Sequence, residues 1–161
     1  MENTHYQEKE NVWLGVLGAF LFSLIGAAVY FLLNAMKLNE SIGGFISVFC
    51  ALHGYVIFAK KESKKGIIIS LVIATVIIVL SWYLCFCIAT VNQYNIEASK
   101  LPESQQKLTS LGEFLPHSFD VLSDHPQMFI YLGLSLLFGL FGYLSYAFRL
   151  FSSDKPKNRR R

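Results

Sequence analysis

The chain is short of charge, and the shortage is concentrated in four stretches. Only 16% of its 161 residues are charged, whereas a soluble domain carries about a quarter. The runs 12–36, 42–59, 66–91 and 128–148 contain no Asp, Glu, Lys or Arg. Each is near or above the roughly 18–20 residues with which a helix crosses about 30 Å of hydrocarbon. Because none shows the polar face of a helix in a soluble protein, we predict four transmembrane helices, the last continuing to 151.

These four spans predict an all-α membrane protein, an antiparallel four-helix bundle that forms one membrane domain over 1–161. The connections 37–41 and 60–65 are short, so consecutive spans are expected to form hairpins. The third connection, 92–127, is long and polar. It carries an apolar stripe at helical spacing, Leu108, Leu111, Leu115, Phe119 and Leu122, which Pro116 interrupts. We expect two short helices here, on the membrane surface or capping the bundle; a disordered loop is the alternative.

Common catalytic and metal-binding patterns are also missing. The sequence has no Asp–Asp pair, Ser–His arrangement, HExxH motif or glycine-rich phosphate loop. The spans hold no acidic residue, which argues against a carrier that relays protons or cations through carboxylates. We therefore expect no enzyme activity, no cofactor and no metal. Four residues of the third connection could together form a metal site: His117, Asp120, Asp124 and His125. The ordinary composition of a polar loop explains their presence equally well.

Positive charge is distributed unevenly between the two sides of the predicted membrane. Eleven of the 14 Lys and Arg residues fall on the side of the N-terminal segment, the second connection and the C-terminal end from Arg149 onwards, and three fall in the other two connections. The positive-inside rule then places both termini in the cytoplasm, with 92–127 outside and a basic cytoplasmic tail at 152–161. We expect anionic headgroups, not nucleic acid, to be the partners of Lys60, Lys61, Lys64, Lys65, Arg159, Arg160 and Arg161.

Small residues follow one face of several spans. Because helices in lipid associate through close packing that small residues permit, we predict contacts at Gly15, Ala19, Ser23, Ala27, Gly54, Gly139 and Gly142. The third span is bulkier and β-branched, so we expect spans one, two and four to pack closely and much of span three to face lipid.

His53 is the one ionisable group of interest within a span. It lies seven residues before Lys60, roughly 10 Å inside the membrane edge. An imidazole at this depth needs a hydrogen-bond partner, which we expect from another span; Tyr143 and Ser145 suit by type and depth. The ring is either a structural link between helices or the centre of a polar site, since intramembrane ionisable groups often mark function.

The stretch ALHGYVIFAKKESKKGIIIS, together with the glycine-rich first span, resembles small uncharacterised four-span membrane proteins of Gram-positive bacteria. In these proteins a Gly–Tyr pair ends the second span and KKG opens the third. The resemblance implies a bacterial plasma membrane and no known activity.

Three functions are compatible with the sequence, of which a membrane enzyme is the least favoured because only one candidate titratable group lies within the spans. The first is a non-enzymatic accessory protein that binds other membrane proteins, or itself, through its small-residue faces. The second is a small transporter or channel subunit with a polar path near His53, formed if Ser23, Ser47, Ser81 and Ser135 converge across an oligomer.

Overall fold

Every regular element in the described part of the chain is helical, as predicted. The computed structural model describes residues 10–36, 38, 41–61, 63–103 and 106–153. The long helices are α1 (Val12–Ala35), α2 (Ser41–Ala59), α3 (Lys64–Ala98) and α6 (Gln127–Ser153). Short helices α4 (Leu111–Phe114) and α5 (Ser118–Ser123) lie between α3 and α6, joined by a 3-10 turn (Leu115–His117).

All four long helices are apolar and long enough to cross a membrane. They run antiparallel, so the bundle has a terminal end, where α1 and α3 begin, and a loop end, where α2 and α6 begin. Helix α3 has 35 residues, about 52 Å of helix, against about 30 Å of hydrocarbon. Its last turns therefore extend beyond its neighbours at the loop end.

Polar side chains mark where several helices start. Asn11 accepts a hydrogen bond from the Leu14 amide at 3.3 Å and caps α1. Ser63 accepts from the Gly66 amide at 3.0 Å and caps α3. Ser110 begins α4 with a capping box. Such caps satisfy amides that have no partner within the helix.

The third connection is partly helical, as the interrupted stripe predicts. Helix α4 ends at Phe114, and Pro116 lies in the 3-10 turn that redirects the chain into α5. The two helices fold back along α3, where Phe114 and Leu122 are buried. Phe119, which the stripe placed on the same face, is 70% exposed.

Helix α2 is the centre of the bundle. It packs against α1, α6 and α3, whereas α1 and α6 scarcely touch. The expectation that spans one, two and four pack closely while much of span three faces lipid is correct only in part. Much of α3 is exposed, but the fourth span, α6, is the most exposed, and α3 packs on both α1 and α2. The reason is that Gly66, Ser70 and Ala74, one helical turn apart, form a buried small-residue face on α3.

Three glycines let helix backbones come into direct contact. A Cβ atom on Gly18 would lie 2.3 Å from the Gly54 carbonyl oxygen, and one on Gly54 would lie 2.4 Å from the Gly18 carbonyl oxygen. Where α2 meets α6, a Cβ on Gly44 would lie 2.1 Å from the Ser135 carbonyl oxygen. Any side chain at these positions would force the helices apart.

We predict that Gly18→Ala lowers the free energy of unfolding by about 1–3 kcal/mol, because the added methyl meets backbone that cannot move aside. SDS titration of the purified protein in mild detergent measures the change. Gly133→Ala is the matched control, since no atom lies within 4 Å of a Cβ placed there and alanine is the better helix former. Equal effects of the two substitutions would contradict the α1–α2 contact.

Candidate functional site

The small residues singled out in the sequence lie mainly between helices of the same chain. Gly15 lies against the Tyr55 ring, and Gly54 lies against the Gly18 carbonyl oxygen and Phe22. Gly139 faces Val48 and Gly142 faces Phe45 across the α2–α6 contact. A Cβ added at either glycine would lie 3.1 Å from the facing side chain. Ala19 and Ser23 are fully buried, and Ala27 is half-buried. These small residues therefore mediate close packing between helices within the bundle.

His53 points to the outer surface of the bundle, next to the junction of α2 and α6. Its side chain is exposed, and its Nδ1 donates to the Phe49 carbonyl oxygen of its own helix at 3.0 Å. A carbonyl can only accept, so in the neutral ring Nε2 is left as an acceptor. The hydrogen bond that we expected from another span is therefore not the one formed, because the ring is directed away from the helix interfaces.

Tyr143 and Ser145 do not form a polar site with His53. Ser145 is exposed and donates its hydroxyl to the Phe141 carbonyl oxygen at 2.8 Å. Tyr143 is half-buried and packs against the hydrophobic core. The ring next to His53 on α6 is Tyr146, edge-on, with 6.0 Å between ring centroids.

An aromatic row runs along the outside of α2 and ends at the imidazole. The Phe45 and Phe49 rings stack at 6.2 Å, and Phe49 and His53 are 4.1 Å apart, centroid to centroid. With Tyr146 from α6, these four side chains form what we call the α2–α6 outer face. It is an aromatic surface that contains two polar groups, the His53 imidazole and the Tyr146 hydroxyl.

A second cluster, at the terminal end, is centred on Tyr55. Its ring lies between α1 and α3, where a Cβ on Gly15 would be 2.6 Å from it and one on Gly66 would be 2.1 Å from it. The Tyr55 hydroxyl donates to Glu10 Oε1 at 2.8 Å. Glu10 also accepts from the Ser63 hydroxyl, the group that caps α3. One carboxylate thus links the segment before α1, the end of α2 and the start of α3.

Charge and hydrogen bonding both favour the ionised form of Glu10. Hydrogen bonds from Ser63 and Tyr55, together with the ammonium groups of Lys61 and Lys65, hold the pKa of the Glu10 carboxyl below its ordinary value. Partial burial opposes this shift without reversing it. The carboxylate is therefore a hydrogen-bond acceptor for both hydroxyls at neutral pH.

This cluster is not predicted from the sequence. Glu10 lies 45 positions from Tyr55 and 53 from Ser63, and no local pattern connects them. A partial signal was present, because the Gly–Tyr pair and the KKG stretch supply Tyr55 and Gly66, whose contact the structure shows.

The remaining reactive side chains do not assemble into a chemical centre in the part of the chain that the structure describes. No three His, Cys, Asp or Glu side chains there are placed to hold a metal ion. Cys50, Cys85 and Cys87 are free thiols. His125 Nδ1 donates to the Val121 carbonyl oxygen at 3.0 Å, which is an ordinary local hydrogen bond.

The class of protein defined by these observations is a multi-pass membrane protein with four transmembrane helices. Comparison with protein-family models, with curated proteins and with solved structures finds no match to this chain.

We predict that Glu10→Gln lowers the free energy of unfolding by about 0.5–1 kcal/mol at pH 7, the size of a solvent-screened, charge-assisted hydrogen bond. Because the pKa of Glu10 is lowered in the folded protein, this stabilisation is present at neutral pH. It is lost as the pH falls below the usual carboxyl range near about 4. The measurement is SDS or thermal unfolding of both proteins from pH 7 down to about pH 3.

Glu103→Gln at the loop end is the control, since Glu103 is exposed and far from the cluster. Tyr55→Phe removes the hydroxyl and keeps the ring, so it completes a double-mutant cycle with Glu10→Gln. Additive effects in that cycle would show that the Glu10–Tyr55 hydrogen bond contributes nothing.

Proposed function

We propose that this chain is a non-enzymatic accessory protein of the plasma membrane that binds a helix of another membrane protein, or of a second copy, at the α2–α6 outer face. The observation that carries the proposal is the position of His53, a polar ring on the outside of a bundle built to lie in lipid. Polar side chains in membrane helices generally face protein or water.

The energetics of His53 favour protein over lipid as its neighbour. Nδ1 is satisfied by Phe49, and the exposed ring lies about 10 Å inside the predicted membrane edge, where Nε2 needs a donor. In hydrocarbon, an acceptor without a donor costs free energy. A Ser, Thr, Tyr or Asn donor on a partner helix would satisfy it, and such interhelical hydrogen bonds contribute about 0.6 kcal/mol on average. The flat rings beside it offer contact area at low conformational cost.

The partner surface proposed here differs from the one that the sequence suggested. Gly15, Ala19, Gly54 and the other buried small residues hold the chain's own helices together. They are therefore not free to receive another protein. The outer face of α2 and α6 remains exposed, and it contains His53.

The transport alternative receives less support. Three of the four serines proposed to line a polar path are occupied by direct packing or by hydrogen bonds within the bundle. Ser47 lies 2.4 Å from a Cβ placed on Gly26, Ser23 donates to the Phe20 carbonyl oxygen, and Ser135 pairs with Tyr30. His53 lies outside the bundle, not among them.

The proposed orientation places both termini in the cytoplasm, for the eleven-to-three distribution of basic residues. Lys60, Lys61, Lys64 and Lys65 share the terminal end, and all four are exposed, which suits contact with anionic headgroups. Arg159, Arg160 and Arg161 lie outside the described residues. The resemblance to small four-span proteins of Gram-positive bacteria supports a bacterial plasma membrane.

To test orientation, we replace Lys61 or Leu108 by Cys in a background in which Cys50, Cys85 and Cys87 are Ala. We expect a membrane-impermeant maleimide to label the Leu108 position in intact cells. The Lys61 position should react only after permeabilisation. The reverse pattern would place the termini outside.

To test the partner surface, we place the photocrosslinking residue p-benzoylphenylalanine at Phe49 or at Leu21. These sites are matched, because they are 45% and 44% exposed and lie at similar depth, but Leu21 is on α1, away from α6. Irradiation of native membranes should give a discrete protein adduct from the Phe49 site only.

His53→Leu should then reduce the yield of that adduct several-fold, while His53→Gln, which keeps a donor and an acceptor, should retain most of it. Adducts with lipid alone, or equal protein adducts from both sites, would show that the α2–α6 outer face is an ordinary lipid surface.

A further inference from the structure

A groove at the loop end is separate from both clusters described above. Its volume is about 370 Å³, within the usual range for small-molecule sites. One wall is a stripe of α3 that begins at Trp82 and Phe86 and ends at Gln93 and Glu97. The other walls come from the ends of α1, α5 and α6.

The groove is long and changes character along its length. Trp82 and Glu97 are fifteen residues apart on one helix, which corresponds to about 22 Å. The inner end is lined by buried Trp82, Cys85 and Phe86. The outer end is lined by exposed Gln93 and Glu97. Such a gradient fits an elongated ligand with an apolar tail and a polar head.

The inner end is held in a fixed shape. Trp82 Nε1 donates to the Met128 carbonyl oxygen at 3.2 Å, and the Trp82 ring packs against Phe129 with 5.6 Å between centroids. A fixed indole provides a preformed surface for an apolar tail, so little conformational freedom would be lost on binding.

The charge of the outer end favours a cation. Among the described side chains that line the groove, Glu97 is the one acid, and Lys and Arg are absent. Tyr94 lies one turn before Glu97, and its ring packs on Phe114 at 6.1 Å. A carboxylate and an aromatic face together attract an ammonium group, the first by charge and the second by its quadrupole. An anionic head would be repelled by Glu97.

We infer that this groove binds a single-chain amphiphile with an ammonium head, the head at Glu97 and Tyr94 and the tail along Phe86 towards Trp82. The same chemistry is present in a free cationic amphiphile and in a membrane lipid with an amine headgroup. The inference does not depend on the proposed α2–α6 partner surface.

The chain offers a direct reporter, because it has only two tryptophans, Trp13 and Trp82. Trp13 is 85% exposed and lies at the terminal end, so Trp13→Phe leaves Trp82 as the single indole signal. Titration with octyltrimethylammonium in maltoside micelles should change the Trp82 fluorescence until the signal saturates. Octyl sulfate and octanol, which share the tail but lack the cation, should bind at least tenfold more weakly.

Two variants locate the ligand within the groove. Glu97→Gln should weaken octyltrimethylammonium about three- to fivefold, the value of an exposed ion pair, and Glu103→Gln should have no effect. Ala89→Leu fills the exposed middle of the groove and should weaken binding at least tenfold. Circular dichroism of each variant checks that the fold is retained.

Nanodiscs separate the two sources of the ligand. If a membrane lipid normally fills the groove, phosphatidylethanolamine discs should reduce the apparent affinity for octyltrimethylammonium relative to phosphatidylglycerol discs. Equal affinity would identify a free amphiphile as the ligand. The inference is overturned if the Trp82 signal does not saturate, if octyl sulfate binds as well, or if Glu97→Gln binds like the parent.

Discussion

The backbone contact between Gly18 and Gly54 is the constraint on which the arrangement of the bundle depends. In lipid, apolar side chains gain little by meeting one another, so helices associate where their surfaces can approach closely. Gly54 allows this towards α1, and Gly44, against Ser135, allows it towards α6. A single central helix can therefore hold α1 and α6 at once while it also packs on α3.

This arrangement has a consequence for the polar groups of α2. Its small residues are directed at three neighbours, so the remaining face carries the large side chains Phe45, Phe49 and His53. The imidazole is therefore outside the bundle for a geometric reason. The glycine contacts fix the rotation of α2 about its own axis, and that rotation directs His53 outwards. An outward polar group is a cost in lipid, and a partner helix would remove it.

Much of the fold follows from the sequence, because lipid excludes charge from the spans. The predicted run 12–36 is α1 to within a residue, and 42–59 is α2 to within a residue. The run 66–91 falls short of α3, which continues to Ala98, because hydropathy reports the lipid boundary and not the end of the helix. Which helices pack against one another could not be predicted, since all four spans have small residues. The Glu10–Tyr55 link could not either, since only the tertiary fold joins them.

The excess length of α3 explains why the loop end has a groove. At the terminal end, Glu10 links the segment before α1 to Tyr55 of α2 and to Ser63 at the start of α3. At the loop end α1 stops at Ala35 while α3 continues, so one stripe of α3 loses its helical neighbour. The folded-back segment covers part of it, through Ser118 on Tyr83 and Thr109 on Asn95. The part left uncovered runs from the apolar interior to Glu97, and this mismatch of helix lengths creates the gradient along the groove.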